Sequence, residues 1–261
     1  MKNLLWFVLF LFMNIESFSQ SASPMLAPII PDRPGQTNPP DVVPSEVLQL
    51  ETGFSRETTK SGGIRAVNYL YNTSLVRIGV LENCELRFVL EYAGIKIDSA
   101  SHTDALDGFN PVSIGTKIAI CPEEGIIPHT AFNCAVTLPY IGEKEFRPTF
   151  LAPSFFLLMQ NTLNEKLSLG YNLGLQWDGV QPNATAVYSV SLSMTEPEGF
   201  GFFVECYGFT TENSISDYRV DVGCVYLINN NIQIDLSGGF GLNAVAPDSF
   251  VAFGLAWRFN K

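Results

Sequence analysis

Residues 166–178 read KLSLGYNLGLQWD. Leu167, Leu169, Tyr171, Leu173, Leu175 and Trp177 alternate with Ser168, Gly170, Asn172, Gly174, Gln176 and Asp178. Successive side chains of a β-strand point to opposite faces, so this alternation describes a strand with one apolar face and one small, polar face. The same period recurs down the chain. It predicts strands over 45–54, 69–80, 85–92, 112–120, 127–138, 150–159, 166–178, 184–194, 200–209, 218–227, 232–240 and 249–259. That is about twelve strands, an even number, and no segment carries a 3.6-residue period. The stretch 150–159 is apolar on both faces, and pattern alone does not assign its sides. Short turns are expected at 81–84, 121–125, 160–166, 195–199 and 228–231. Longer loops are expected at 55–66, 93–110, 139–149, 210–217 and 241–248, with the gap at 179–183 fitting this scheme poorly.

The question is which face looks inward. A water-soluble barrel with an apolar interior would carry a charged, Thr-rich exterior. Here the polar faces are Gly, Ser, Ala and Asn with single charges, and glycine weakens a water-facing strand. Only 16% of the 261 residues are charged, against about 25% in soluble domains. Reversing the faces removes the conflict. The apolar side then meets lipid and the small side lines a closed lumen, where side chains crowd. Phe54, Tyr92, Trp177, Phe200, Tyr226, Trp257 and Phe259 fall near the ends of apolar faces, as interfacial girdles do. The fold expected is all-β: a closed antiparallel outer-membrane β-barrel of about twelve strands over 45–261.

Residues 1–19 have a basic start, an apolar run from Leu4 to Met13 and small residues at Ser17 and Ser19, the pattern of a secretory signal. The following segment, 20–44, holds Pro24, Pro28, Pro31, Pro34, Pro39, Pro40 and Pro44. Proline cannot donate to a ladder, so this segment stays out of the wall. Its part 28–44 either enters the lumen near the periplasmic mouth as a partial plug, with Asp32 and Arg33 meeting charges on the wall, or hangs as a loose periplasmic tether.

The polar faces supply those charges: Glu51, Arg77, Glu85, Arg87, Glu91, Lys117, Glu205, Arg219, Asp221, Asp235 and Arg258. Together with Asp32 and Arg33 they are the candidate lumen-lining and binding residues; salt bridges that stiffen the wall are the favoured reading over a dedicated ligand site. Adjacent strands suggest a Glu205–Arg219 pair, and barrel closure suggests that Arg258 meets Glu51. The net charge of −11 argues against a nucleic-acid partner. The five cysteines show no metal or redox spacing. Cys134, Cys206 and Cys224 read as small hydrophobes, while pairing of Cys84 with Cys121 stays open.

From residue 31 onward the chain resembles a bacterial outer-membrane transporter family labelled for the MetA-pathway of phenol degradation. The resemblance rests on PDRPGQT (31–37), VP (43–44), LQLETGF (48–54), LVRIGVLENCELRF (75–88), LGYNLGLQWDG (169–179), FVECYGF (203–209) and IDLSGGFGLNAVAPDSFVAFGLAWRF (234–259). It implies a β-barrel and a transport role for aromatic or other small hydrophobic compounds, with no catalytic residues and no cofactor. The partners implied are outer-membrane lipid, a small solute and the outer-membrane assembly machinery. Barrel chains often end on an aromatic residue; here Asn260 and Lys261 follow Phe259.

The expected activity is passive admission of a small solute. The competing readings are a pore-less structural or adhesion barrel acting through its loops, and an outer-membrane hydrolase. Serine hydrolysis needs a base held beside the nucleophile. His102, in SHTDALDG, and His129, in PHTAF, both lack a serine two residues on. Asp104 and Asp107 read as loop-solvating carboxylates rather than cation ligands. Gly238-Gly239-Phe240-Gly241 ends a strand with no helix to follow, so it is not a phosphate loop.

Overall fold

The computed structural model describes residues 27–259. The expected signal segment and the residues after Phe259 lie outside them. Along the chain come β1 (Leu48–Ser61), β2 (Ile64–Leu81), β3 (Cys84–Asp98), β4 (Thr103–Phe109), β5 (Ser113–Cys121), β6 (His129–Thr137) and β7 (Ala152–Thr162). Then follow β8 (Leu167–Gln176), β9 (Thr185–Thr195), β10 (Phe200–Thr211), β11 (Asp217–Asn229), β12 (Ile232–Gly241) and β13 (Ser249–Phe259). The helical element among the described residues is one 3-10 turn, Lys144–Phe146.

Every neighbouring pair is antiparallel, β1 pairs with both β2 and β13, and β2 pairs with β3, so the sheet closes. The thirteen segments fill twelve wall positions. Strand β3 pairs with β5 through Cys84–Val89 and with β4 through Tyr92–Asp98, so β4 and β5 are two halves of one strand. The break falls at 110–112, where Pro111 has no N–H for the ladder. A closed ring leaves no unpaired edge for lipid to meet, which is the condition for crossing a bilayer with strands.

The faces lie as the alternation predicts. Apolar residues on the outer face are exposed, with Leu173 at 57% and Phe253 at 54%. The inward face buries Gln49, Asn172, Ser189, Ser191 and Ser237 together with the charges described below. The two-sided stretch resolves in the same way. Phe155 points out and is half exposed, while Leu158 is fully buried and Phe156 packs inward over Gly174. Aromatic contacts ring the outside at two levels. Near the termini Trp257 meets Phe259 at 4.2 Å and Phe200 meets Tyr226 at 4.5 Å. Nearer the other end, contacts link Phe253, Phe54, Tyr69, Tyr71, Tyr92 and Phe109 across five strands.

Two loop expectations need correction. Residues 55–66 and 93–110 are mostly strand: β1 and β2 run on to a two-residue reversal at Gly62-Gly63, and β3 runs on to Asp98 before β4 returns. Their composition suggested loops, but these hairpins stand beyond the apolar band, where the outward face turns polar, Ile95, Ile97 and Leu106 lie on the inward face, and strand pairing continues. The poorly fitting gap at 179–183 sits in a loop on the same end as the other long connections. All five cysteines are free, so Cys84 and Cys121 do not pair. Cys206 is exposed on the outer face.

Candidate functional site

The proline-rich segment runs inside the ring at the short-turn end. Ile29 N–H donates to Asn230 in the turn between β11 and β12, and Arg258 on β13 donates to the Ala27 carbonyl. Pro40, Val43 and Ile29 are buried there. A segment so rich in proline offers few N–H groups, so the wall must satisfy it mainly with side chains.

On the β1–β5 side the satisfaction is ionic. The Asp32 carboxylate meets Lys117 Nζ at 2.6 Å, Arg87 Nη2 at 2.5 Å and Arg77 Nη1 at 3.2 Å. Arg77 in turn meets Glu51 at 2.9 Å and Glu85 at 2.8 Å, and Arg87 meets Glu85 at 2.7 Å. Three carboxylates, Asp32, Glu51 and Glu85, thus balance three cations, Arg77, Arg87 and Lys117. Glu51, Arg77, Glu85 and Lys117 are all 0% exposed. Burial alone would raise the Asp32 carboxyl, but Arg77, Arg87 and Lys117 overcome it and hold it well below the usual carboxylate range.

The same side chains also bind the segment's backbone. Glu51 accepts from the N–H groups of Asp32 and Arg33, and Glu85 accepts from Val43. Lys117 donates to the carbonyls of Pro39 and Asp41, and Arg77 donates to those of Ile30 and Asp41. Removing one member of such a buried set strands its partners, at a cost of about 3–5 kcal/mol.

Further round the wall, Arg33 bridges to Asp235 on β12 at 3.0 Å. Its guanidinium lies flat on β1 and β13, where a Cβ at Gly53 or Gly254 would come within 2.5 Å of it. Only glycine admits that approach. Glu205 on β10 accepts from the N–H groups of Gln36 and Thr37 at 2.5 and 2.8 Å. With its amide turned to suit, Asn172 on β8 accepts from Asn38 N–H at 2.7 Å. Beneath this crossing a cavity of about 370 Å³ separates the segment from the β7–β12 wall. Gln160, Ser168, Gly170, Ser191, Ser193 and Gly201 line its wall side, and Pro28, Ile29 and Pro34 its inner side.

Of the candidates read from sequence, Asp32, Glu51, Arg77, Glu85, Arg87 and Lys117 converge in one network, with Arg33–Asp235 and Glu205 as further contacts. The others stand apart. Glu91 lies higher, accepting from Thr73 and Asn110. Arg219 does not meet Glu205: register sets it opposite Tyr207, and it bridges to Asp217 at 2.6 Å and to Glu57 on β1 at 2.7 Å. Glu205 instead faces Asp221. Arg258 does not meet Glu51: it lies opposite Gln49, one inward position nearer the turns, and binds Asn231 and the Asn230 carbonyl. The contacts of Gln36, Thr37 and Asn38 were missed, because a backbone donor leaves no mark on the residue type. His102 pairs with Asp104 at 2.8 Å in an exposed turn, away from the lumen.

A closed twelve-position barrel with an apolar exterior and a charged, segment-filled lumen has the fold of a bacterial outer-membrane β-barrel. The chain belongs to the family described as "Putative MetA-pathway of phenol degradation", which matches residues 31–259. Among solved structures it is similar to an outer membrane channel from Pseudomonas putida F1, with 13% identity and a TM-score of 0.67 over 87% of this chain and 99% of that one. It is also similar to the transport unit of the autotransporter AIDA-I from Escherichia coli, with 10% identity and a TM-score of 0.57 over 97% of each chain. The translocator domain of the autotransporter NalP from Neisseria meningitidis matches with 13% identity and a TM-score of 0.54 over 84% of this chain and 90% of that one. At these identities the likeness concerns the fold. A comparison with curated proteins finds no match.

Proposed function

We propose that the protein passively admits small solutes, aromatic or hydrophobic ones among them, past a plug formed by residues 28–44. The observation that carries this reading is the cavity of about 370 Å³ between that segment and the Ser- and Gly-lined wall. Its size falls at the lower end of small-molecule sites. The segment side presents Pro28, Ile29 and Pro34 beside the polar Asp32, Arg33 and Asn38; the wall side offers hydroxyls and an amide, from Ser168, Ser191, Ser193 and Gln160. That pairing suits a molecule with a flat apolar body and one polar group. The three-against-three charge network beside it is balanced in sign.

The family description supports an aromatic solute. The lumen charges serve to seat the plug, and no catalytic role is assigned to them. Deleting 28–44 and recording single-channel conductance tests the plug: conductance several-fold higher supports it, and unchanged conductance refutes it. Liposome swelling with phenolics, sugars and amino acids tests the solute class. A structural or adhesion barrel would pass none of them.

A further inference from the structure

The exposed tip of the β1–β2 hairpin carries cations that the lumen does not use. Arg56 and Lys60 follow Phe54 at even spacings on β1, whose register with β13 is unbroken from Leu48 to Thr58. They therefore share the outward face on which Phe54 stacks over Phe253 at 5.3 Å. Arg65 on β2 lies directly opposite Lys60, and Tyr69 directly opposite Arg56. Like charges facing each other across a ladder destabilise it unless an anion lies between them. Among the described residues none of the ion pairs includes Arg56, Lys60 or Arg65, although the chain as a whole carries a charge of −11. Lys96 on β3 shares the face and is bound to Asp98 at 3.2 Å; Asp98 also lies directly opposite Arg65, with no ion pair between them, and offsets its charge only in part. The other acid on these four strands' outward face, Asp107, is engaged by Tyr92. Asp248, in the neighbouring loop, donates its backbone N–H to the Thr58 carbonyl, and its carboxylate enters none of the ion pairs among the described residues.

Height decides the partner. The rings of Tyr69, Tyr71 and Tyr92 form a continuous outward band, with centroids 5.2 and 5.9 Å apart. Such bands lie at the bilayer interface. Lys60 and Arg65 stand four residues beyond the Arg56–Tyr69 pair, about 10 Å up a wall tilted by about 40°. That is the depth of lipid headgroups. The tip is closed by the tight reversal at Gly62-Gly63, both with positive φ. Between the Arg56–Tyr69 and Lys60–Arg65 pairs, Thr58 and Val67, opposite each other on the same face, are buried.

We propose that Arg56, Lys60 and Arg65 form a seat for the phosphate groups of the outer-leaflet glycolipid, which relieve the Lys60–Arg65 repulsion and fix the hairpin against the membrane. The test titrates the folded full chain, in zwitterionic detergent, with diphosphoryl lipid A and follows the heat-induced unfolding midpoint. The expected result is saturable stabilisation of the wild type, with affinity weakened about fivefold for each charge removed in R56Q, K60Q and R65Q. Dephosphorylated lipid A and inorganic phosphate alone should give no shift, and a K144Q/R147Q control at another rim loop should bind like the wild type. Equal binding by the R56Q/K60Q/R65Q variant overturns the proposal. So does a wild type that responds equally to dephosphorylated lipid A, or a control that weakens as much as the seat variants.

Discussion

The two sides of the lumen are built from the same alternating strands but differ in what they do with the inward position. On β1, β2, β3 and β5 that position holds Glu51, Arg77, Glu85, Arg87 and Lys117, which grip Asp32 and the backbone around it. On β8, β9 and β10 it holds Ser168, Gly170, Ser191, Ser193 and Gly201, and the segment stands off from the wall. Asn172 and Glu205 are the crossing points, each holding the segment through its backbone. A barrel wall is stable with either choice, because its backbone ladder is indifferent to which polar residue faces inward. The difference therefore divides the lumen into a seat and a path, and each side predicts a different response to mutation.

The largest effect is expected at the seat. Arg77→Met strands Asp32, Glu51 and Glu85 in a buried site, at about 3–5 kcal/mol. Single-channel conductance should then approach that of the 28–44 deletion. Conductance like that of the wild type would mean that the seat does not hold the plug.

A smaller coupling is expected where Arg33 meets Asp235. The double-mutant cycle of Arg33→Ala and Asp235→Ala should return about 1.5–3 kcal/mol, as charged hydrogen bonds do. Unfolding midpoints in detergent provide the measurement, and strict additivity would show that the bridge contributes nothing.

On the path side the sign of the functional effect reverses. Ser191→Leu fills the cavity without touching an ion pair, at a cost of about 1–3 kcal/mol for a larger side chain at a buried position. Swelling rates with phenolics should fall several-fold. A variant that swells at the wild-type rate would place the path elsewhere.

The smallest response should be to mild acid. Asp32 is held below its ordinary value, so its contribution is complete above about pH 3.9 and is lost only as pH falls through the lower folded value. Conductance should stay flat from about pH 8 to about pH 5 and rise only in strong acid. A rise already near neutral pH would assign control to another group.

Much of the seat is legible in the sequence. Asp32 and Arg33 stand in a segment that prolines keep out of the ladder, and unpaired charges on small-residue faces have nowhere to go but the lumen. Their meeting follows from those two facts. The contacts of Glu205 with Gln36 and Thr37 were not legible, since any residue but proline supplies an N–H. The extended hairpins read as loops because, above the apolar band, their outward face turns polar while Ile95, Ile97 and Leu106 lie inward, so the wall's apolar-out alternation stops there.

By itself the chain's alternation determined that there are twelve wall positions, which face meets lipid and which residues are available inside. That follows from local geometry, because the pleat sends every second side chain the same way. Which inward residues meet was decided only by closure and register. Arg258 falls opposite Gln49 rather than Glu51, and Arg219 reaches past two strands to Glu57 on β1. A period of two says which side of the sheet a charge occupies, whereas its neighbours across the ring depend on hydrogen-bonded pairings between segments far apart in sequence.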